Sequence, residues 1–412
     1  MKWKQGIRVM RCYCYILLVI SYTCWGDSNS ESEGNVFPKE DWVITSPLTV
    51  DVDRTKLEKL FDLAFEDSAT QAVVLIKDGH LIGERYADGF DEQSFSTSWS
   101  MAKSIYAALI GISIDLGEIG SLDDPVANYI SAFADERREI TIRDLLDMTS
   151  GLDFPEHEHE TMFFQDDHLH YAMGVGVSKE PGLVFEYNNV NSMLIGEILY
   201  KATGIAADEL LKERIFKKLN IDKYTIWRDS AENVMSYCCI DMSARDYSRF
   251  GLLFARDGRW ENEQIVSKNF VDETFKQIWS GIPSATINQK RGYGMHWWVS
   301  RNTEEAVIFN ASGKFGQYIF VDRKRDVVFT RTTKYHSTGA SVQDWGRLKL
   351  ISWIEDVTLF RKIAEFLSKL GLVDADTDIA TPITFEDGVS EKFFLNYDSI
   401  IDALIEVSSK AN

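Results

Sequence analysis

The chain has 412 residues, of which 45% are hydrophobic and 12% aromatic, and its formal net charge at pH 7 is -20. Seven prolines and 26 glycines are too few for a disordered chain, so a globular protein is expected. A surface this acidic repels phosphate backbones, which argues against nucleic acid as a partner.

The N-terminus predicts an export signal followed by a tether. Basic residues precede an apolar run at 12–22 that is too short to span a bilayer comfortably. Residues 1–26 are therefore predicted to be a signal peptide, with a retained membrane anchor as the alternative. Residues 27–40 begin with a polar run and are predicted to be a flexible tether. The expected location is the periplasm or cell envelope, with a lipid on Cys24 as one form of membrane tether.

Strand signals lie towards the two ends of the remaining chain, and helix signals lie between them. Residues 71–89 predict a β-hairpin, because two β-rich runs flank the turn signal Asp78-Gly79. Residues 100–117 have apolar side chains at helical spacing and end at Gly117, which predicts a largely buried helix. Further helices are predicted at 141–152, 191–204, 206–221, 243–258, 341–357 and near 397–409. Further strands are predicted at 292–300, 306–313, 317–322 and 326–333.

This order predicts an α+β fold. An antiparallel sheet built from both ends of the chain would be flanked by helices and would carry an inserted, mostly helical region. The main domain is expected over residues 41–365, with residues 366–412 as a C-terminal extension. Cys238 and Cys239 are adjacent and are expected not to pair with each other, so they are predicted to be a buried pair of thiols.

The stretch WSMAKSIY (99–106) contains Ser100 and, three residues later, Lys103. Residues at this spacing share one face of a helix, so the two side chains are expected to be neighbours. A serine hydroxyl needs a nearby base, and lysine becomes one when burial keeps it neutral. At a helix start, the Ser100 N–H would also be available to an oxyanion. Because a Ser-x-x-Lys match is expected about once by chance in such a chain, an ordinary helix start is the alternative.

Two further stretches offer partners for this pair. Tyr187 and Asn189 precede a predicted helix; a phenol near a cation loses its proton more easily, and an amide both donates and accepts. Taken alone, a half-buried loop aromatic and a helix cap explain them better. Gly313 and Gly316 interrupt strand sequence, which marks close approach of backbone to a ligand, so the Lys314 N–H could complete an oxyanion hole. A plain β-bulge is the alternative.

The ordered set Ser-x-x-Lys, Tyr-x-Asn and a small-x-Gly strand resembles the serine β-lactamase and penicillin-binding-protein superfamily. The Tyr form of the second motif is similar to class C β-lactamases. Phrases such as TIRDLLDMTSGLDF and MSARDYSRFGLL most resemble the 6-aminohexanoate-dimer hydrolase group and related esterases. The resemblance implies a β-lactamase/transpeptidase-like fold and acyl transfer without a metal or other cofactor.

The resemblance also implies a role for each matching residue. Ser100 would attack a carbonyl and form an acyl-enzyme, while Lys103 and Tyr187 would share the proton transfers, with neither assigned as the base. The N–H groups of Ser100 and Lys314 would form the oxyanion hole, each contributing about 3 kcal/mol. The residues that would bind the substrate are Asn189, Ser312 and Gly313.

The third motif departs from the family pattern. β-Lactamases and D-alanyl peptidases usually carry Lys-Thr-Gly there, whereas this chain has Ala311-Ser312-Gly313 and so lacks a cation for a substrate carboxylate. Lys314 is a poor substitute, because on a strand it would point to the opposite face from Ala311. The expected function is therefore an exported hydrolase of a small amide or ester. The alternatives are a β-lactam-interacting protein, a D-amino-acid peptidase and a non-catalytic sensor.

Residues 156–170 contain four of the seven histidines beside several acids. Histidine and carboxylate are good zinc ligands, but His157/His159 and His168/His170 are pairs two residues apart, which suit a strand or loop. A solvated loop over the mouth of the active site is favoured over a metal site.

Overall fold

The computed structural model describes residues 35–154, 159–276, 279–283, 290–334 and 391–409. The predicted signal peptide and the helix predicted at 341–357 lie outside these residues. The helices are α1 (Arg54–Phe65), α2 (Met101–Asp115), α3 (Ile142–Leu146), α4 (His159–Phe163), α5 (His168–Gly174), α6 (Asn189–Thr203), α7 (Ala207–Leu211), α8 (Ala244–Ala255), α9 (Lys268–Thr274) and α10 (Glu391–Ser408). The strands are β1 (Thr70–Lys77), β2 (His80–Tyr86), β3 (Phe95–Thr97), β4 (Thr225–Ile226), β5 (Ile240–Ser243), β6 (Arg259–Trp260), β7 (Glu263–Gln264), β8 (Trp279–Pro283), β9 (Lys290–Gly294), β10 (Trp297–Asn302), β11 (Val307–Gly313), β12 (Gln317–Asp322) and β13 (Val327–Thr333).

A sheet of eight strands, ordered β2-β1-β13-β12-β11-β10-β9-β8, organises the domain. Neighbouring strands are antiparallel, and β1 pairs with β13, for example Val74 with Thr330. The β1–β2 hairpin turns at Asp78 and Gly79, whose φ angles of 51° and 77° suit these two residue types. The predicted α+β fold, with one sheet built from both ends of the chain, is confirmed.

Two apolar layers cover the two faces of this sheet. Along β1, Val74 and Ile76 face a core shared with α2, α6 and α8, whereas Val73 and Leu75 face a second core shared with α1 and α10. Every residue of α2 from Met101 to Ser113 is buried, as expected for a helix that is apolar on all sides. Tight packing on all sides fixes the position of the first turn of α2, where Ser100 and Lys103 lie.

Residues 36–40 are part of the domain, although the sequence assigned them to the tether. The Arg249 guanidinium donates to the carbonyl oxygens of Lys39 and Glu40, each at 3.0 Å. Phe37 packs against Trp260, with ring centroids 5.2 Å apart. These contacts hold the segment in place, so residues 36–40 are not part of a flexible tether.

Two other assignments differ from the predicted ones. The single strand predicted at 292–300 is two strands, β9 and β10, because Met295 and His296 have φ angles of 49° and 62° and turn the chain between them. α10 packs against α1 and contributes Tyr397 and Ile401 to the second core, so it is an integral part of the domain. The boundary predicted after residue 365 lies outside the described residues.

Cys238 and Cys239 form a disulfide, which contradicts the prediction that they would not pair. In an extended chain, the side chains of successive residues point apart, so such a chain would keep adjacent cysteines from pairing. Cys239 instead has a φ of 73°, and this left-handed turn accompanies the pairing of the two side chains.

A buried ion pair supports the loop after β11. Arg331 donates to Asp67 at 2.6 Å and also contacts the carbonyl oxygen of Gly316 at 3.3 Å. Both charged side chains are at most 1% exposed.

Because Asp67→Ala leaves the arginine buried without its counter-charge, we expect the free energy of unfolding to fall by about 3–5 kcal/mol in urea titrations. Asp402→Ala, which breaks an exposed pair with Arg301, should cost about 0.5 kcal/mol or less; equal losses in the two variants would contradict this.

Candidate active site

The chain turns sharply just before the predicted nucleophile. Ser98 extends the β3–β5 pairing, since its N–H donates to Ile240 O at 2.8 Å and its Oγ accepts from Ile240 N at 2.9 Å. Trp99 then adopts a φ of 44°, a left-handed conformation that costs about 1–2 kcal/mol. Ser100 follows as the residue preceding α2, and its side chain makes no capping hydrogen bond to that helix. The Ser100 hydroxyl is therefore available to other partners.

Lys103 lies one helical turn after Ser100 and is 1% exposed. Its Nζ lies 2.8 Å from each of three oxygen atoms, which are Ser100 Oγ, Asn189 Oδ1 and the carbonyl oxygen of Tyr237. None of the three carries a charge, and burial lowers the pKa of Lys103 well below its ordinary value. The predicted contact with Ser100 is present, and the environment favours the neutral amine.

The three contacts also orient the neutral amine. A neutral lysine has two N–H groups and one lone pair. Asn189 Oδ1 and the Tyr237 carbonyl can only accept, so they take the two N–H groups. The lone pair is left for Ser100, whose hydroxyl can donate its proton across the 2.8 Å contact. This arrangement suits a general base paired with a serine nucleophile.

Tyr187 lies on the other side of this pair. Its hydroxyl is hydrogen-bonded to Ser100, and its ring centroid is 5.1 Å from Lys103 Nζ. The prediction that a nearby cation helps this phenol to lose its proton is wrong in direction, because burial raises the pKa of Tyr187 and the bond to Ser100 offsets this only in part. A protonated phenol in this place is suited to donating a proton.

Asn189 is the first residue of α6, and it connects that helix to Lys103. The capping role considered for Asn189 belongs to Asn188, whose side chain accepts from the Asn191 N–H at 2.9 Å. With the cap supplied by its neighbour, the Asn189 side chain is directed to Lys103.

β11 ends against the turn that carries Ser100. A Cβ at Gly313 would lie 2.2 Å from Ser98 O and 3.2 Å from Trp99 Cβ, so only glycine permits this approach. Lys314 follows in the short loop to β12, with its backbone at this same end of the strand. β11 and β12 pair without a break in register up to Gly313, so the predicted alternative of a β-bulge is wrong. Ser312, the other predicted binding residue, is partly exposed beside Gly313.

The beta-lactamase family profile matches residues 64–351, about 70% of the chain. This chain belongs to the beta-lactamase family. It is 22% identical to the 6-aminohexanoate-dimer hydrolase of Paenarthrobacter ureafaciens over 312 residues, which are 69% of this chain and 78% of the relative.

Solved structures agree with this family and fold. A candidate 6-aminohexanoate-dimer hydrolase from Bacillus anthracis has a TM-score of 0.63 at 19% identity, with 90% of this chain and 89% of the other covered. A family VIII carboxylesterase has a TM-score of 0.58 at 16% identity, with 72% and 94% covered. The resemblance read from the three motifs is confirmed, as is the β-lactamase/transpeptidase-like fold.

In this beta-lactamase family member, aromatic side chains that the motifs did not identify surround Tyr187. Trp298 stacks on its ring at 5.6 Å, Tyr293 meets it edge-on at 6.0 Å, and Phe185 packs against both. Trp297 is buried in the core, whereas Trp298 is half-buried against Tyr187. The alternation of side chains along a strand was the available signal, since only one of two adjacent tryptophans can face the core.

A second group of aromatic rings flanks Ser100 through Trp99. The Trp99 indole lies 5.8 Å from the Phe315 ring, 6.1 Å from Phe163 and 6.4 Å from Trp227. Lys314 lies in the turn after β11 and not on the strand, so it does not take the place of the absent motif lysine. Its Nζ lies 5.0 Å from the Phe315 ring centroid. The surroundings of the nucleophile are predominantly apolar and aromatic.

His168 was predicted to lie in a solvated loop, and this is wrong. It begins α5, is fully buried, and its Nδ1 lies 3.1 Å from the Tyr237 hydroxyl. Its backbone N–H donates to Asp229 at 2.8 Å, which fixes the start of the helix.

Across the described residues, no cluster of three or more His, Cys, Asp or Glu side chains is placed to hold a metal. Within those same residues, no helix has the length and apolarity needed to cross a membrane.

Tyr187→Phe should lower kcat for ester hydrolysis by about a hundredfold. The variant keeps the packing of the ring against Trp298 but removes the hydroxyl that meets Ser100, and a positioned proton donor is worth at least about that factor. Steady-state kinetics with an ester series provides the measurement, and the loss should grow as the leaving group becomes more basic. A loss that is independent of the leaving group would contradict proton donation by Tyr187.

Proposed function

We propose that the protein is a serine hydrolase that cleaves an amide or ester through an acyl-enzyme on Ser100. The observation that carries this proposal is the contact between Lys103 Nζ and Ser100 Oγ at 2.8 Å. The two remaining partners of the lysine are pure acceptors, so the lone pair of the neutral amine faces the hydroxyl proton. A sensor that binds its ligand without a covalent bond needs only the fold, whereas activation of a serine requires this arrangement.

The reaction proceeds by two acyl transfers. The Ser100 proton passes to Lys103 as Oγ bonds to the carbonyl carbon, and the oxyanion is held by the N–H groups of Ser100 and Lys314, each worth about 3 kcal/mol. The tetrahedral intermediate collapses as the leaving alcohol or amine departs with a proton from Lys103 relayed through Tyr187. Water then attacks the acyl-enzyme, loses a proton to the same groups and releases the acid together with free Ser100.

The side chains near Ser100 favour a substrate without a carboxylate beside the reacting carbonyl. Ala311 is fully buried at the place where the resemblance puts a lysine. Trp99 and Phe315 on one side, and Tyr187 and Trp298 on the other, offer aromatic surface to apolar groups. The relatives named for 6-aminohexanoate-dimer hydrolysis and for carboxylester hydrolysis support an amide or ester over a β-lactam.

Labelling and turnover together test this function. The purified protein is treated with a fluorophosphonate, and peptide mapping should place the label on Ser100. Hydrolysis of neutral p-nitrophenyl esters should exceed that of an ester carrying a carboxylate next to the acyl carbon. A label without turnover would favour a sensor. Release of D-alanine from D-alanyl-D-alanine would favour a peptidase. Absence of both label and turnover would overturn the proposal.

We further propose that the protein is exported, with residues 1–26 as its signal peptide. The apolar run at 12–22 follows basic residues and supports this assignment. Expression of the full chain followed by N-terminal sequencing of the mature protein would test it. An intact N-terminus in the cytosolic fraction would contradict export, and a blocked N-terminal Cys24 would indicate lipid attachment.

A further inference from the structure

A four-residue segment, 237–240, connects the catalytic lysine to the turn that carries the nucleophile. At its start, the carbonyl oxygen of Tyr237 accepts from Lys103 Nζ at 2.8 Å. At its end, both backbone groups of Ile240 bond to Ser98, two residues before the nucleophile. The geometry of this segment therefore affects how the Lys103 amine is oriented beside the turn that carries Ser100.

The disulfide between Cys238 and Cys239 lies in the middle of this segment. Two adjacent cysteines close the smallest ring that a protein disulfide can form, so the peptide unit between them is held in place. Cys239 has a φ of 73°, which residues other than glycine adopt at a cost of about 1–2 kcal/mol. Its carbonyl oxygen accepts from the Trp227 N–H at 3.0 Å, and the two cysteines are 3% and 0% exposed. A covalent ring thus maintains a turn that the backbone alone disfavours.

The other two oxygen atoms bonded to Lys103 Nζ are positioned by helices and not by a disulfide. Ser100 is on the same helix as Lys103, and Asn189 is at the start of α6, so regular helices position both. The third acceptor, Tyr237 O, belongs to an irregular segment between Met235 and β5. Its peptide unit is anchored there by one backbone bond, from the Cys238 N–H to Met235 O at 3.1 Å. The bridge directly follows that carbonyl in the chain.

We propose that the Cys238–Cys239 disulfide is a positioning element of the active site, which holds the Tyr237 carbonyl on Lys103 and makes the oxidised protein the competent catalyst. This inference rests on the proposed function, because it assigns the bridge a role through the catalytic lysine. It differs from a purely structural role, since the affected group is the base and not the stability of the fold.

Reduction should therefore slow the reaction. A water-soluble trialkylphosphine supplies two electrons: the S–S bond breaks, each sulfur takes a proton from the medium, and the phosphine becomes its oxide with an oxygen from water. Cys239 is then free to leave its left-handed conformation, and the Tyr237 carbonyl can rotate away from Lys103. The lone pair of Lys103 is no longer directed at Ser100, because one of its two N–H groups has lost its acceptor.

Two double variants of the full chain separate the bridge from the turn. Cys238→Ser/Cys239→Ser removes the bond and leaves a residue that disfavours positive φ. Cys238→Ser/Cys239→Gly removes the bond but accepts that conformation at no steric cost. We expect the rate of fluorophosphonate labelling at Ser100, and kcat/KM for an ester, to fall by about tenfold to a hundredfold in the Ser/Ser variant, with the Ser/Gly variant in between.

The pH profile distinguishes positioning from general loosening. A carbonyl that accepts from an amine favours its protonated form, so withdrawal of the Tyr237 carbonyl lowers the pKa of Lys103 further. The rate needs the neutral amine and rises with pH through that pKa, so its acidic limb should move to lower pH in the Ser/Ser variant. Circular dichroism melts would show whether each variant is folded.

Controls address the other cysteines. Cys12, Cys14 and Cys24 are changed to serine together, and this variant should keep wild-type activity and its sensitivity to the phosphine. The Ser/Ser variant should be insensitive to it. The inference would be overturned if three samples had the same labelling rate and the same acidic limb in the pH profile of the rate. These samples are the folded Ser/Ser variant, the phosphine-treated wild type and the untreated wild type. Failure of the untreated wild type to label would instead overturn the proposed function, and this inference with it.

Discussion

Ser100→Ala should reduce ester hydrolysis by about a millionfold, to the background given by binding and oxyanion contacts alone. The variant removes the hydroxyl oxygen proposed to carry the acyl group, while the backbone N–H of residue 100 and the base are kept. Burst kinetics with a p-nitrophenyl ester provides the measurement, because the wild type should release an initial equivalent of p-nitrophenol on acylation and the variant should not. Mass spectrometry of the quenched protein should show the acyl group on the wild type only.

Ser113→Ala is the matched control for this variant. Ser113 lies on the same helix, is fully buried and accepts from Arg214 at 3.1 Å, far along α2 from the first turn. Loss of that bond should cost about 1 kcal/mol of stability and leave the burst unchanged. A burst that persists in Ser100→Ala would place the acyl group elsewhere and exclude Ser100 as the nucleophile.

The contact between Ser100 and Lys103 was predictable because its geometry is local. Ser100 and Lys103 are three residues apart, and any helix that begins near Ser100 brings them together. The fold was predictable for a related reason, since strands at both ends of a chain with helices between them leave few ways to build one sheet. Tyr187 and the Gly313 strand could not be placed by spacing, and only the order of the three motifs, through the resemblance, connected them to the serine.

What the sequence did not reveal depends on contacts between distant segments or on unusual backbone. The Tyr237 carbonyl is a main-chain group, so its contact with Lys103 cannot be predicted from the residue type. Pairing of Cys238 with Cys239 is accompanied by a positive φ at Cys239, which sequence patterns for cysteine do not signal. The sign of the shift in the pKa of Tyr187 depended on burial, which outweighed the hydrogen bond with Ser100.

Lys103→Met should lower kcat/KM for ester hydrolysis by about a thousandfold to ten-thousandfold. Methionine has a similar length and suits a buried position, so the fold should survive while the base is lost. Because the wild-type rate requires the neutral amine, it should rise with pH through the pKa of Lys103, which burial places well below that of an exposed lysine. The methionine variant should lose this limb, which a pH series of kcat/KM from pH 5 to 9 would reveal.

Arginine at the same position separates the two roles that a lysine can have. Lys103→Arg retains a positive charge near the oxyanion but cannot act as a neutral base, since guanidinium stays protonated. If Lys103 is the base, the arginine variant should be as inactive as the methionine variant. Lys103→Ala should regain activity with small primary amines, and the rescued rate should follow the concentration of the unprotonated amine. Activity retained by arginine would make electrostatic stabilisation the function of Lys103, and the proton would then have to leave Ser100 by another group.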